Sequence, residues 1–241
     1  MAPAAILVEN LTVREGGKVA CADLSFSVPP GSTQTILGRG VGPIALLRCL
    51  LGKSLPDSGR ALVLGLDARR RWKLRGRRRL VAEGEDLYTA LSRGTPPKVL
   101  FVDQPEAEAL DAAMRLFRDL VAAGTAALVT TKEAGVAALV GGRIGLLARG
   151  RLTVAPGFPD LLAGFRRLRY TSRMTETRTD FGTELDEFDA MRVRVRGWGV
   201  EAVVSNFTPA AFERLRALDG VEEASAEAMT LSEILDASAD G

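Results

Sequence analysis

Gly38, Gly40 and Gly42 sit at even spacing between a short apolar run, Thr35 to Leu37, and an apolar segment from about Ile44 to Leu51. Glycines at a strand-to-helix turn let the backbone come close to an anion, and the helix that follows points its free N–H groups at it. The chemistry such a turn serves is phosphate binding. The closing G-K-[ST] of that loop is missing, and Pro43, Ile44 and Ala45 stand in its place. Gly52-Lys53-Ser54 has the right three letters but lies at the far end of the helical segment, where it reads as a helix C-cap and turn. A second chemical feature is RRRWKLRGRRR, residues 69–79, with eight basic side chains in eleven. The chain has no histidine, which excludes any mechanism that needs an imidazole base or ligand.

The elements that must position these residues alternate. Residues 5–8 and 19–28 read as strands around a Gly16-Gly17 turn, and ALVLG, residues 61–65, as another. KVLFVD (98–103), AALVTT (126–131) and RIGLLAR (143–149) are apolar strands. Between the first two, Leu110, Met114, Phe117 and Val121 recur at helical spacing, and a further helical piece lies around Ala134 to Val140. Strand and helix alternating from residue 33 to 149 predict an α/β domain with a mostly parallel sheet and helices on both faces. Past Leu162 the chain turns polar, and RRLRYTSRMTETRTDFGTELDEF reads as a linker. Alternating MRVRVRGW and EAVV, then helical PAAFERLRAL, predict a small α+β appendage. The expected domains are therefore 1–165 and 166–241.

With 241 residues, 46% hydrophobic content and a net charge of +2, the chain fits a globular domain plus an appendage, without a strong global field. Cys21 and Cys49 lie in separate apolar segments and form no C-x-x-C pair, so buried reduced thiols are expected. The N-terminus lacks a basic region before its short apolar run, so no signal peptide is expected, and no apolar run reaches the length of a membrane span.

In order along the chain, ILVENLTVR, ADLSFSVPPG, LLRCLLG, PDSGRALVLGLD, PKVLFVDQP, EALDA, LVTTKE and RIGLLARGRL together resemble the nucleotide-binding subunit of ATP-binding-cassette transporters. The tail FERLRALDGVEEASAEAMTLSEILDA is similar to the C-terminal extension of single-domain exporter subunits. The resemblance implies a P-loop-NTPase-like sheet with an antiparallel β portion. It also implies that two such domains pair head to tail, each ATP held by the phosphate loop of one and an LSGGQ-like signature of the other.

Residue by residue, the resemblance predicts losses. Glu15 stands where an aromatic usually stacks on adenine. Asp103 matches the magnesium-positioning aspartate, but Gln104 holds the place of the catalytic glutamate, and an amide accepts no proton at neutral pH. Lys132 replaces the switch histidine, and Asp111 resembles the aspartate of the dimer-contact loop. Glu85, the best match for the loop glutamine, lies 18 positions before Asp103, leaving no room for the helical subdomain that carries the signature; the expected deletion falls around 84–97.

These residues lead to the expectation of a degenerate subunit, a pseudo-ATPase acting as structural or regulatory partner in a membrane transport complex. Gly38, Gly40, Gly42 and Asp103 are expected as a vestigial nucleotide site, kept for packing and capping. No catalytic residue, metal or cofactor is expected, with ATP and magnesium left to the disfavoured alternative of an active subunit using Lys53 or the basic run on phosphates. A free cytosolic adaptor is the third reading. Partners expected are a membrane-spanning transporter subunit and an intact ATPase subunit, with the protein peripheral at the inner face of the cytoplasmic membrane. Arg69, Arg70, Arg71, Arg77, Arg78, Arg79, Glu85 and Asp111 are the expected partner contacts. For the basic run itself a solvated surface, an anionic-lipid or acidic-partner contact and, last, nucleic acid all stay open, Trp72 being its only aromatic.

Overall fold

The computed structural model describes residues 3–172, 185–197 and 199–239. The chain divides into two units, Met1–Phe158 and Pro159–Gly241. The fold is α/β, with a mixed, mostly parallel sheet and separate antiparallel sheets.

In the first unit, strands β1 (Ile6–Glu15) and β2 (Lys18–Val28) form a hairpin, and β1 also pairs antiparallel with β4 (Ser58–Val63), which carries the short β5 (Leu66–Asp67). The second sheet comprises β3 (Thr33–Leu37), β6 (Arg78–Val81), β7 (Val99–Asp103), β8 (Ala126–Thr131), β9 (Arg143–Ala148) and β10 (Arg151–Ala155). Its order is β10-β9-β3-β8-β7-β6, parallel except for the edge strand β10.

The apolar runs at β7 and β8 are continuous because both faces of these strands are covered. Val99, Phe101, Ala126 and Leu128 face a core shared with the antiparallel sheet and helix α1 (Gly42–Leu50). Leu100, Val102, Ala127 and Val129 face the opposite core, built with α2 (Leu87–Ser92), α3 (Ala107–Ala122) and α4 (Ala134–Val140). In α3 the buried stripe is Leu110, Ala113, Met114, Phe117 and Leu120, with Val121 half-buried beside it. A short helix, α5 (Phe158–Gly164), follows β10.

The end of the basic run is built into the fold. Arg78 and Arg79 open the edge strand β6, and their guanidinium groups are drawn into the fold. Arg78 donates to the carbonyl oxygens of Leu50 (3.1 Å) and Leu51 (3.0 Å), closing the C-terminus of α1. Arg79 donates to Ala90 and Leu91 (3.1 Å each), Arg93 and Thr95 (3.0 Å), closing the C-terminus of α2 and the loop after it. A cation at a helix C-terminus satisfies orphan carbonyls and complements the dipole.

The second unit contains β11 (Arg166–Ser172), β12 (Ala190–Arg196), β13 (Gly199–Val204), α6 (Pro209–Arg216), β14 (Val221–Ala228) and α7 (Leu231–Ala239). The order β12-β13-β11-β14, antiparallel throughout, is that of ferredoxin-like sandwiches. The polar stretch expected as a linker begins as β11, an inner strand of this sheet: Leu168 and Tyr170 are fully buried, while Arg167 and Arg169 on the other face pair with Glu227, Glu233 and Glu201. Of the rest of that stretch, residues 173–184 lie outside the described residues, and it ends in a 3-10 turn, Asp186–Phe188, with Leu185 and Phe188 buried. Thr230 and Glu233 form a reciprocal capping box at the start of α7, with the Thr230 N–H donating to Glu233 Oε2 (2.8 Å) and the Glu233 N–H to Thr230 Oγ1 (3.3 Å).

Candidate functional site

The glycine turn joins β3 to α1 at the C-terminal end of the parallel sheet, where α/β proteins carry their ligand sites. The Gly38 N–H donates to the carbonyl oxygen of Thr131 (2.9 Å). A Cβ on Gly38 would lie 2.5 Å from the Leu147 carbonyl oxygen and 3.1 Å from Pro43 Cγ, and one on Gly42 would lie 3.0 Å from the Ala20 carbonyl oxygen. Both positions need glycine because neighbouring backbone closes on them. Gly40 is exposed in open space with φ +83°, and needs glycine for its conformation instead.

Helix α1 then starts without a side-chain cap at Val41. Pro43 and Ala45 are buried, and Val41 and Ile44 present apolar side chains at 51% and 40% exposure. Arg39, which the sequence reading passed over, is an exposed cation inside the turn. Glu15, at the end of β1, pairs with Arg48 of α1 (3.0 Å).

The ends of β7 and β8 bring three sequence-predicted positions together: Asp103, Gln104 and Lys132. Asp103 lies opposite Thr130, whose hydroxyl donates to Asp103 Oδ1 (2.6 Å). Gln104, held at φ +47°, donates its N–H to the Thr130 carbonyl (3.0 Å), and its side-chain Oε1 accepts the Lys132 N–H (3.1 Å). The Lys132 ammonium faces Glu83 (3.8 Å), a partner the sequence reading also missed. The amide oxygen of Gln104 thus acts as a backbone clamp between the two strand ends.

Glu85 and Asp103 line one cavity of about 270 Å³ at the ends of β6 and β7, with Asp86, Pro105 and Glu106 among the other walls. Glu85 folds back on its own turn, accepting the Ala82 N–H (3.1 Å). Asp86 caps α2, accepting from the Thr89 N–H (3.2 Å) and hydroxyl (2.7 Å); these bonds hold its carboxyl below the usual range, the hydroxyl contributing most. Four carboxylates line the cavity among mostly apolar and small residues, Val81, Leu87, Val102 and Ala109 included. Among the described residues no group of three or more His, Cys, Asp or Glu side chains is arranged to hold a metal ion.

Other predicted positions lie apart from these strand ends. Asp111 is exposed in the second turn of α3, not in a loop. Gly52-Lys53-Ser54 closes the C-terminus of α1, with the Gly52 N–H donating to the Cys49 carbonyl and the Lys53 N–H to that of Arg48. Lys53 and Arg78 therefore sit a helix length, about 13 Å, from the glycine turn. Arg69, which pairs with Asp67, Arg70 and Arg77 lie in the connection leading into the N-terminal end of β6, as does the backbone of Arg71. Both cysteines are buried free thiols.

Over about two thirds of the chain, this fold is similar to that of solved ATP-binding cassettes. A solved ATP-binding subunit of an ABC transporter superposes with TM-score 0.54 at 13% identity, covering 63% of this chain and 90% of that one. CbiO1 from Clostridium perfringens, described as part of the transporter complex cbiONQ, gives 0.53 at 17% identity over 64% and 88%. In sequence, the chain is 42% identical over 66 residues to the Fe(3+) ions import ATP-binding protein FbpC of Brucella suis, and 42% identical over 73 residues to the phosphonates import ATP-binding protein PhnC 2 of Rhodopseudomonas palustris. Those segments are 27% and 30% of this chain but only 19% and 26% of the relatives. No known family's profile matches the chain. Over part of its length, then, the chain is related to the ATP-binding subunits of ABC transporters.

Proposed function

We propose that this protein is a pseudo-ATPase of the ATP-binding-cassette type, serving as a structural or regulatory partner in a membrane transport complex. The observation that carries the reading is the first turn of α1. Where a phosphate loop presents a lysine and a hydroxyl, this turn has buried Pro43 and Ala45 flanked by the apolar surfaces of Val41 and Ile44. A lost charged donor to a phosphate costs about 3 kcal/mol, and the missing hydroxyl removes a magnesium ligand.

The rest of the site agrees. The Gln104 side chain holds backbone where a general base would act. Residues 83–98, the short remnant between β6 and β7, contain a capped helix whose end Arg79 seals, which leaves no room there for a signature-bearing subdomain. Paired with an intact subunit, such a chain completes neither ATP site: its own loop is defective, and it lends no signature to its partner.

The partners this reading implies are a membrane-spanning subunit and an intact ATPase, with the protein on the cytoplasmic side. Affinity purification of the tagged full chain from its native cells, in mild detergent, tests this. Recovery of a polytopic membrane protein in stoichiometric amount is expected; recovery of soluble proteins alone refutes the transport assignment and leaves a free adaptor.

A further inference from the structure

We infer that residues 70–77 form a membrane-surface patch that binds anionic lipid directly, without a partner subunit. The structure separates the basic run into arginines used by the fold and cations left over. Arg78 and Arg79 are committed to the C-termini of α1 and α2, and Arg69 to Asp67. Arg70, Lys73, Arg75 and Arg77 are exposed; Arg70 feels the charge of Asp67, which Arg69 already pairs, and the other three have no acidic partner among the described residues.

Among these four cations stands Trp72, 74% exposed, the most exposed large apolar side chain among the described residues. The Lys73 ammonium lies 4.9 Å from its ring centroid. The second most exposed, Leu55 at 68%, lines a cavity of about 180 Å³ together with Arg69 at the start of the run. The turn that displays Trp72 is firmly held: Leu74, fully buried, roots it in the core, and the two committed arginines fix the strand that follows.

An indole on the outside of an anchored turn, among exposed cations, matches the headgroup layer of an anionic bilayer. There the cations meet lipid phosphates and the ring settles at the interface. Nucleic-acid phosphates would satisfy the cations, but with no second aromatic in the run to form a base-stacking platform they give Trp72 and Leu55 no role. An acidic protein would satisfy the charges but gives no reason for an exposed Trp72 and Leu55.

The inference stands apart from the pseudo-ATPase reading, since it concerns the isolated chain. The test is co-sedimentation of the full chain, carrying W198F so that Trp72 is the sole tryptophan, with phosphatidylcholine vesicles with and without one-third phosphatidylglycerol. Binding only to the anionic vesicles, weakened by salt and accompanied by a blue shift of Trp72 emission, is expected. R70Q/K73Q/R75Q/R77Q should lose affinity more than about 100-fold, at roughly five-fold per cation. R194Q/R196Q, which removes two exposed cations of the second unit, should bind as before. Equal binding to neutral vesicles, retention of binding by the quadruple variant, or charge-dependent capture of RNA or polyglutamate with no blue shift on vesicles would overturn it.

Discussion

Replacing Arg79 by alanine should loosen the short connection between β6 and β7 more than any other change in the basic run. The guanidinium donates to four backbone carbonyls, two of them, on Ala90 and Leu91, partly buried. A hydrogen bond from a charged donor contributes about 1.5 kcal/mol at the low end of its range. The bonds to Arg93 and Thr95 face solvent, where water replaces the donor, so the expected loss is about 3 kcal/mol from the two inner bonds. R79K should recover less than half of it, because an ammonium cannot span a planar fork's contacts. Urea unfolding of the full chain measures the total, and amide hydrogen exchange locates it, with faster exchange expected from Leu87 to Thr95 ahead of the rest of the first unit. If R79A unfolds within about 0.5 kcal/mol of the parent and exchange in that segment is unchanged, the seal is decorative and the reasoning fails.

Thr130→Val should cost about 1.5–2 kcal/mol by removing the hydroxyl that Asp103 accepts, whereas Thr130→Ser should cost less; urea melts distinguish them. The N–H and hydroxyl of Thr130's counterpart at the α7 cap, Thr230, together with Arg167, hold the Glu233 carboxyl down from its ordinary 4.5 to about 2. The charged form is the one the fold favours, so this stabilisation is complete above pH 4.5 and drains away as pH falls toward 2. E233Q should lower stability at neutral pH and flatten that acid limb of the profile. Burial, and then the neighbouring Cys49, push the Cys21 thiol up to about 12. Cys21 should therefore ignore a thiol reagent at neutral to mildly alkaline pH until the chain unfolds, and stability should decline with rising pH between 9 and 12 as the unfolded thiol ionises first.

The parallel sheet was readable from its letters because β7 and β8 are apolar on both faces, and the hairpin because Gly16-Gly17 sits between alternating strands. Two strands hid behind charge. In β6, Arg78 and Arg79 look like part of a surface run, and only the three-dimensional position of two helix ends explains them. In β11 the alternation of Arg167, Leu168, Arg169 and Tyr170 was present, but the arginines masked it, since their glutamate partners lie 32 to 66 residues away. At the candidate site, the glycine turn and Asp103 were visible as motif fragments. The Gln104 clamp on Lys132, the Thr130 hydroxyl on Asp103 and the backbone pressed against Gly38 and Gly42 were not, because each depends on which strand lies beside which.

The central claim concerns ATP, and equilibrium titration of the full chain with a fluorescent ATP analogue and magnesium tests it most directly. A chain whose first helical turn offers Pro43, Ile44 and Ala45 should show no saturable binding into the millimolar range, with Asp103→Ala making no difference. Micromolar, magnesium-dependent binding abolished by Asp103→Ala would contradict the account.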